Sequence, residues 1–119
     1  MSSKTGVSVK KNTTPTLPIT VNLPLNQVKR LEFIFKKKKT GSHPALLHKT
    51  FTAGKIPVDE SASSNDYFVV LLELTAKETS RFQVGEMFMD TRAELTDGSV
   101  PETEIVAFDV TPTLFGDGA

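Results

Sequence analysis

The chain has no cysteine and no tryptophan, a single tyrosine and two histidines. Without cysteine there is no disulfide framework, no thiolate metal site and no cysteine nucleophile. The lack fits folding in a reducing cytosol. The seven glycines stand singly, so no glycine-rich phosphate loop is present. His43 and His48 come without an HExxH pattern or an acidic cluster, short of the three or four converging ligands that zinc needs. They read as a turn histidine and a strand-face histidine. No serine sits in a GxSxG context. Glu86, Asp90 and Glu94 alternate along one stretch, as on the wet face of a sheet, and form no recognisable general acid/base pair. The expectation is a protein that is not an enzyme and that uses no cofactor or metal. No apolar run follows the lysine-bearing start MSSKTGVSVKKNTT, so neither a secretory signal nor a membrane span is expected.

What is present is alternation. At 119 residues, 38% of them apolar, the chain suits one thin two-layer domain. Leu31, Phe33 and Phe35 alternate with Glu32, Ile34 and Lys36, which predicts a strand over 30–38 that buries one face. The run Thr40-Gly41-Ser42-His43-Pro44 is a turn. A weaker strand over 45–52 would pair back, with Leu47, Lys49 and Phe51 on one face. Pro15 and Pro18 bracket an extended piece, 16–22, which proline confines to a sheet edge or strand start. Residues 53–66 read as a loop. Tyr67-Phe-Val-Val-Leu-Leu-Glu-Leu74 is the most apolar run, and its β-branched and aromatic content predicts a buried central strand with Tyr67 in the core. Thr75, with Glu78 three residues on, has the spacing of a capping box and opens a short helical turn closed by Phe82. A strand follows from about Glu86, then a Thr96-Asp97-Gly98 turn, then a returning strand over 101–110. Met87, Met89 and Leu95 share the core face of the first of these. These elements predict an all-β fold, an antiparallel β-sandwich of immunoglobulin-like outline, with one helical turn near 75–82. Residues 1–13 are expected to be a flexible arm and 14–115 the single domain.

Net charge is zero but unevenly spread. Residues 1–55 carry eleven Lys/Arg against one acid, a surplus of ten, and residues 56–119 carry three against thirteen, a deficit of ten. Either early and late strands interleave and their charges pair, or a basic and an acidic face meet between copies. Lys36, Lys37, Lys38 and Lys39 form a basic run that could neutralise phosphates. Lysines at a strand end equally serve to keep the chain soluble and to block edge pairing. Phe88 is out of place among Glu86, Asp90, Arg92 and Glu94 on the wet face, and implies a partner or a covering margin. Lys36–Lys39, Phe88, Asp90 and Arg92 are therefore the candidate interaction residues.

Several short motifs resemble a family of small proteins encoded by tailed phages and prophages of Gram-positive bacteria. They are Thr13-Thr14-Pro15, then Leu74-Thr75, Thr79, Phe82 and Gly85 at the spacing Leu-Thr-x-x-x-Thr-x-x-Phe-x-x-Gly. Asp90 in mid-strand, Asp97-Gly98 and Ile105 to Val110 follow. The same order of elements resembles the amino-terminal domain of upper baseplate proteins of lactococcal-type phages. The likeness covers residues 12–115; the Lys36–Lys39 run and the long 53–66 loop depart from the pattern. The resemblance implies a virion structural protein of the tail or baseplate, made in the bacterial host cytoplasm. It would act by assembly with other phage structural proteins and with copies of itself, with no membrane partner. Two alternatives stand beside it: a carbohydrate- or host-surface-binding module at the tail tip, and a small nucleic-acid-binding protein using Lys36–Lys39. Against the first, sugar platforms use exposed Trp or Tyr; against the second, Phe33 and Phe35 beside the lysines point to the core and cannot stack on bases.

Overall fold

The computed structural model describes residues 2–39, 44–103 and 105–113. Among these residues, besides 3-10 turns at Leu25–Gln27 and Glu60–Ala62, seven strands and one α-helical turn follow in the order β1 (Ser2–Lys10), β2 (Thr16–Val21), β3 (Val28–Lys36), β4 (Leu47–Thr52), β5 (Phe68–Glu73), α1 (Ala76–Thr79), β6 (Gly85–Leu95) and β7 (Ile105–Thr111). They form a five-stranded sheet in the order β1-β7-β6-β3-β4 and a two-stranded sheet, β2-β5. The expected turn residues Thr40 to His43, and the tail beyond Thr113, lie outside the described residues.

Period-2 alternation decides which face each strand buries. In β3, Leu31, Phe33 and Phe35 have no exposed surface. In β6, Met87, Met89, Thr91 and Ala93 turn the same way. From the other sheet, Phe68, Val70, Leu72 and Val21 complete one continuous core. Phe35, Phe82 and Phe108 form a triangle with ring centres 5.3 to 5.9 Å apart. Two of its contacts are edge-to-face, the arrangement that ring quadrupoles favour.

The strand order is that of an immunoglobulin-like sandwich: β3, β6 and β7 stand where strands C, F and G do, with β4 added as C′ and β2 and β5 facing them as B and E. No disulfide can tie the sheets. Ile19 of β2 and Met89 of β6 line the same gap between them.

Three expectations need correction. Residues 2–10 are not a loose arm but β1, paired parallel to β7. Val7 and Val9 supply a two-residue apolar alternation too short to read as a strand, yet Val9 is completely buried beneath the sheet. The sandwich is thus antiparallel except at this edge. β5 is not a central strand of a large sheet. Its one ladder is with β2, and on its other side Val58 forms an isolated antiparallel bridge to Val70, with Leu71 N–H donating to Pro57 O and Asp59 N–H to Val69 O. Only alternate residues of β5 face the core. Tyr67 precedes the strand on the outward parity and is 39% exposed rather than buried.

The capping box forms as its spacing required: the Thr75 hydroxyl accepts from Glu78 N–H and the Glu78 carboxylate accepts from Thr75 N–H. Gly85 (φ +113°) and Gly98 (φ +87°) take backbone conformations that disfavour a Cβ. The turn at Asp97 closes through Ser99 N–H donating to its carboxylate. The returning strand starts at Ile105, later than expected. β7 pairs with only the first half of β6, Gly85 to Met89, and the intervening segment is tied instead by the Thr103 hydroxyl donating to Thr91 O.

Interleaving pairs part of the uneven charge of the two chain halves. Basic β3 lies against acidic β6, with Arg30 opposite Glu94 and Glu32 opposite Arg92.

Candidate functional site

The outer face of the five-stranded sheet is set by the residues left over once the core parity is taken. Register between β3 and β6 places Lys36 opposite Phe88, Ile34 opposite Asp90, Glu32 opposite Arg92 and Arg30 opposite Glu94. Toward one end the face is a polar ladder. Arg30 and Glu94 approach to 3.6 Å. His48 Nε2 lies 3.4 Å from Glu32, an ion pair when the ring is protonated.

Toward the other end the character changes. Ile34, Phe88 and Ile105, all half-buried, floor a hollow of about 110 Å³ whose rim carries Lys36, Lys38, Lys39 and Asp90. Five of the seven residues singled out in the sequence therefore meet here. Phe88 is held by β6 on the outward parity, and Ala107, buried, sits opposite it on β7. The Phe88 ring thus lies on the outer sheet face, part-exposed, among Lys36, Lys38, Lys39 and Asp90.

The remaining two point elsewhere. Lys37 turns to the edge, and its ammonium donates to the carbonyls of Val84 and Glu86 at 3.3 Å each. It fastens the start of β6 and is structural. Its Nζ stands 3.2 Å from where a Cβ on Gly85 would be. Arg92 lies farther along the ladder, exposed, opposite Glu32. Asp90 puts a negative charge on the rim where a nucleic-acid phosphate would approach, which weakens the phosphate reading of the lysine run.

Lys49 was not singled out, although its parity with Leu47 and Phe51 pointed it toward the gap between sheets. Its ammonium lies 3.1 Å from each Glu78 carboxylate oxygen and donates to Glu73 O at 3.1 Å. Burial pushes the Glu78 pKa up, but the Thr75 N–H and the Lys49 ammonium outweigh it and hold the carboxyl below the usual glutamate range. This pair edges an open hollow of about 740 Å³ lined by Thr16, Phe51, Pro57, Leu71, Glu73 and Thr75. His43 lies outside the described residues, and among those described no three His, Asp or Glu side chains are grouped to hold a metal ion. Among them, too, no helix is long and apolar enough to cross a membrane.

No family model matches the chain, and no curated protein matches it. Solved structures do. The fibronectin(III)-like modules of Clostridium thermocellum CbhA share 12% identity over 95% of this chain and 92% of theirs, with a TM-score of 0.49. CopC from Methylosinus trichosporium OB3b shares 12% over 93% of this chain and 84% of its own, with a TM-score of 0.42. The extracellular domains of the voltage-gated sodium channel β4 subunit share 13% over 96% of each chain, with a TM-score of 0.35. These are likenesses of fold at low identity, and the sandwich stands on its own strand order and register.

Proposed function

We propose that the chain is a structural module of a phage or prophage particle, placed in the tail or baseplate, that works by docking to other proteins of the particle. The element order and the motifs from Leu74 to Val110 support the phage setting. The docking role rests on one observation: a half-buried phenylalanine, two isoleucines and three lysines gather on the outer face of a rigid sheet. Apolar floor with charged rim is the make-up of a protein-binding patch, where the centre supplies adhesion and the rim supplies orientation. A glycan-binding module at the tail tip is the second reading, favoured by the exposure of Tyr67.

Particles released from the producing host test the proposal directly. The chain is expected to co-purify with tails, and Phe88→Glu combined with Lys38→Glu to reduce its incorporation about tenfold or more, as loss of an anchor residue does. Both side chains lie on the outer face, so the variant keeps the β-sheet circular-dichroism signal. Absence of the chain from purified particles would refute the phage setting. Binding to host cell-wall glycan that persists at high salt would favour the second reading.

A further inference from the structure

Charge in the folded molecule is sorted by end, not by chain half. β3 runs nine residues, roughly 30 Å, and Lys36, Lys38 and Lys39 leave from its far end. Lys10 arrives at the same end, since β1 closes beside Thr111 of β7, and so does Lys77 of α1. Acids are present there too: Glu78 is ion-paired with Lys49, while Glu86 and Asp109, opposite each other across β6 and β7, add two negative charges that the five lysines outnumber.

At the near end the balance is reversed. The 53–66 loop packs beside the start of β3, where Glu60 shares a hollow with Leu25, Asn26 and Val28. Asp59 and Asp66 flank it in sequence. Asp97 joins them in the turn after β6, because Leu95 lies opposite Val28. Lys29, Lys55 and Arg30, the last ion-paired with Glu94, are cations of that end. Beside Asp66 stands Tyr67, 39% exposed, and Leu25 is exposed to the same degree. One end thus offers cations around an apolar floor of Ile34, Phe88 and Ile105, and the other offers acids around a projecting aromatic ring. A stiff strand holds these two surfaces apart, so a single copy cannot join its own ends.

We infer that copies of this chain associate head to tail, the Asp59–Tyr67 segment of one copy seated on the Lys36, Lys38 and Lys39 end of the next. Tyr67 lies against the floor formed by Phe88 and its neighbours, and the acids lie against the lysine rim. The inference rests on the assembly role proposed above and names its partner as a second copy. Because the two surfaces differ, the contact is heterologous: repeated, it builds a ring or a filament and does not close as a two-fold dimer. Tyrosine is among the residues that dominate such contacts, and the charged rims make the association salt-dependent.

Sedimentation of the full chain against sodium chloride, with a charge exchange between ends, tests this. At low salt the wild type is expected to sediment as multiples of 13.0 kDa. It falls to the monomer as salt approaches about 0.5 M, where the screening length is about 4 Å. Lys38→Glu/Lys39→Glu makes both ends acidic, and Glu60→Lys/Asp66→Lys makes both ends basic. Each variant alone is expected to remain monomeric at low salt while keeping the wild-type β-sheet circular-dichroism signal. Mixed one to one, they associate again through the unaltered acidic end of the first and basic end of the second. A wild type that is monomeric at every salt concentration, a single variant that still assembles, or a mixture that stays monomeric would each overturn the inference. Any of these results combined with co-purification in particles leaves the docking role standing with a different partner. Self-association of a chain missing from particles overturns the phage setting alone.

Discussion

Thr79 is a polar side chain with no exposed surface, and its partners explain how it can be so. Its hydroxyl donates to Thr13 O at 2.8 Å and accepts from Thr13 N–H at 3.1 Å, joining the chain after β1 to α1. Thr79→Val keeps the shape but leaves both Thr13 backbone groups without a partner, which costs about 2–3 kcal/mol. Urea denaturation is expected to give that loss, and Thr79→Ser to recover most of it. Next to it, Glu78 sets an acid limb on stability. Its pKa is lower in the folded chain than in the unfolded one, so the stabilisation is complete above the ordinary glutamate range. It is lost as pH falls through the lowered value. Glu78→Gln removes that dependence, and urea midpoints measured down the acid range are expected to fall less steeply for the variant than for the wild type.

At the scale of elements, β1 is where the structure departs most from what its sequence suggests. Its partner β7 lies about a hundred residues away, and its only apolar signal is Val7 and Val9, so no local pattern marks it. Val9→Ala is expected to cost about 2 kcal/mol, the loss of buried methyl groups with the cavity they leave. Amide exchange measured on the wild type is expected to show protection at residues 8–10, which an unpaired arm would not have. β3, β6 and the capping box of α1 were legible because each is specified within a few residues: three core side chains in strict alternation, or two polar groups three apart. β5 was misplaced because an apolar run looks the same whether its edges meet strands or, as here, the Pro57–Asp59 segment. The site followed the same division. Lys36 to Lys39 and Phe88 stood out as oddities of composition, but only the β3–β6 register brings them to one hollow, and register is a long-range property. That Lys37 would leave the group to fasten β6 was invisible for the same reason.

For the molecule as a whole, the two sheets are held by side-chain packing without a covalent tie, and the polar ladder of Arg30, Glu94, Glu32 and Arg92 occupies the outer face toward the β3 start. The first and last described strands run side by side in the same direction. Residue 2 therefore lies at one extremity of the sheet and residue 111 at the other. A peptide joining them would have to cross roughly 20 Å, about six residues of extended backbone, so rearranging the chain by circular permutation requires a spacer of that reach. A second domain genetically appended after the last strand, in contrast, starts from the extremity opposite residue 2, so tandem copies would be joined end to end.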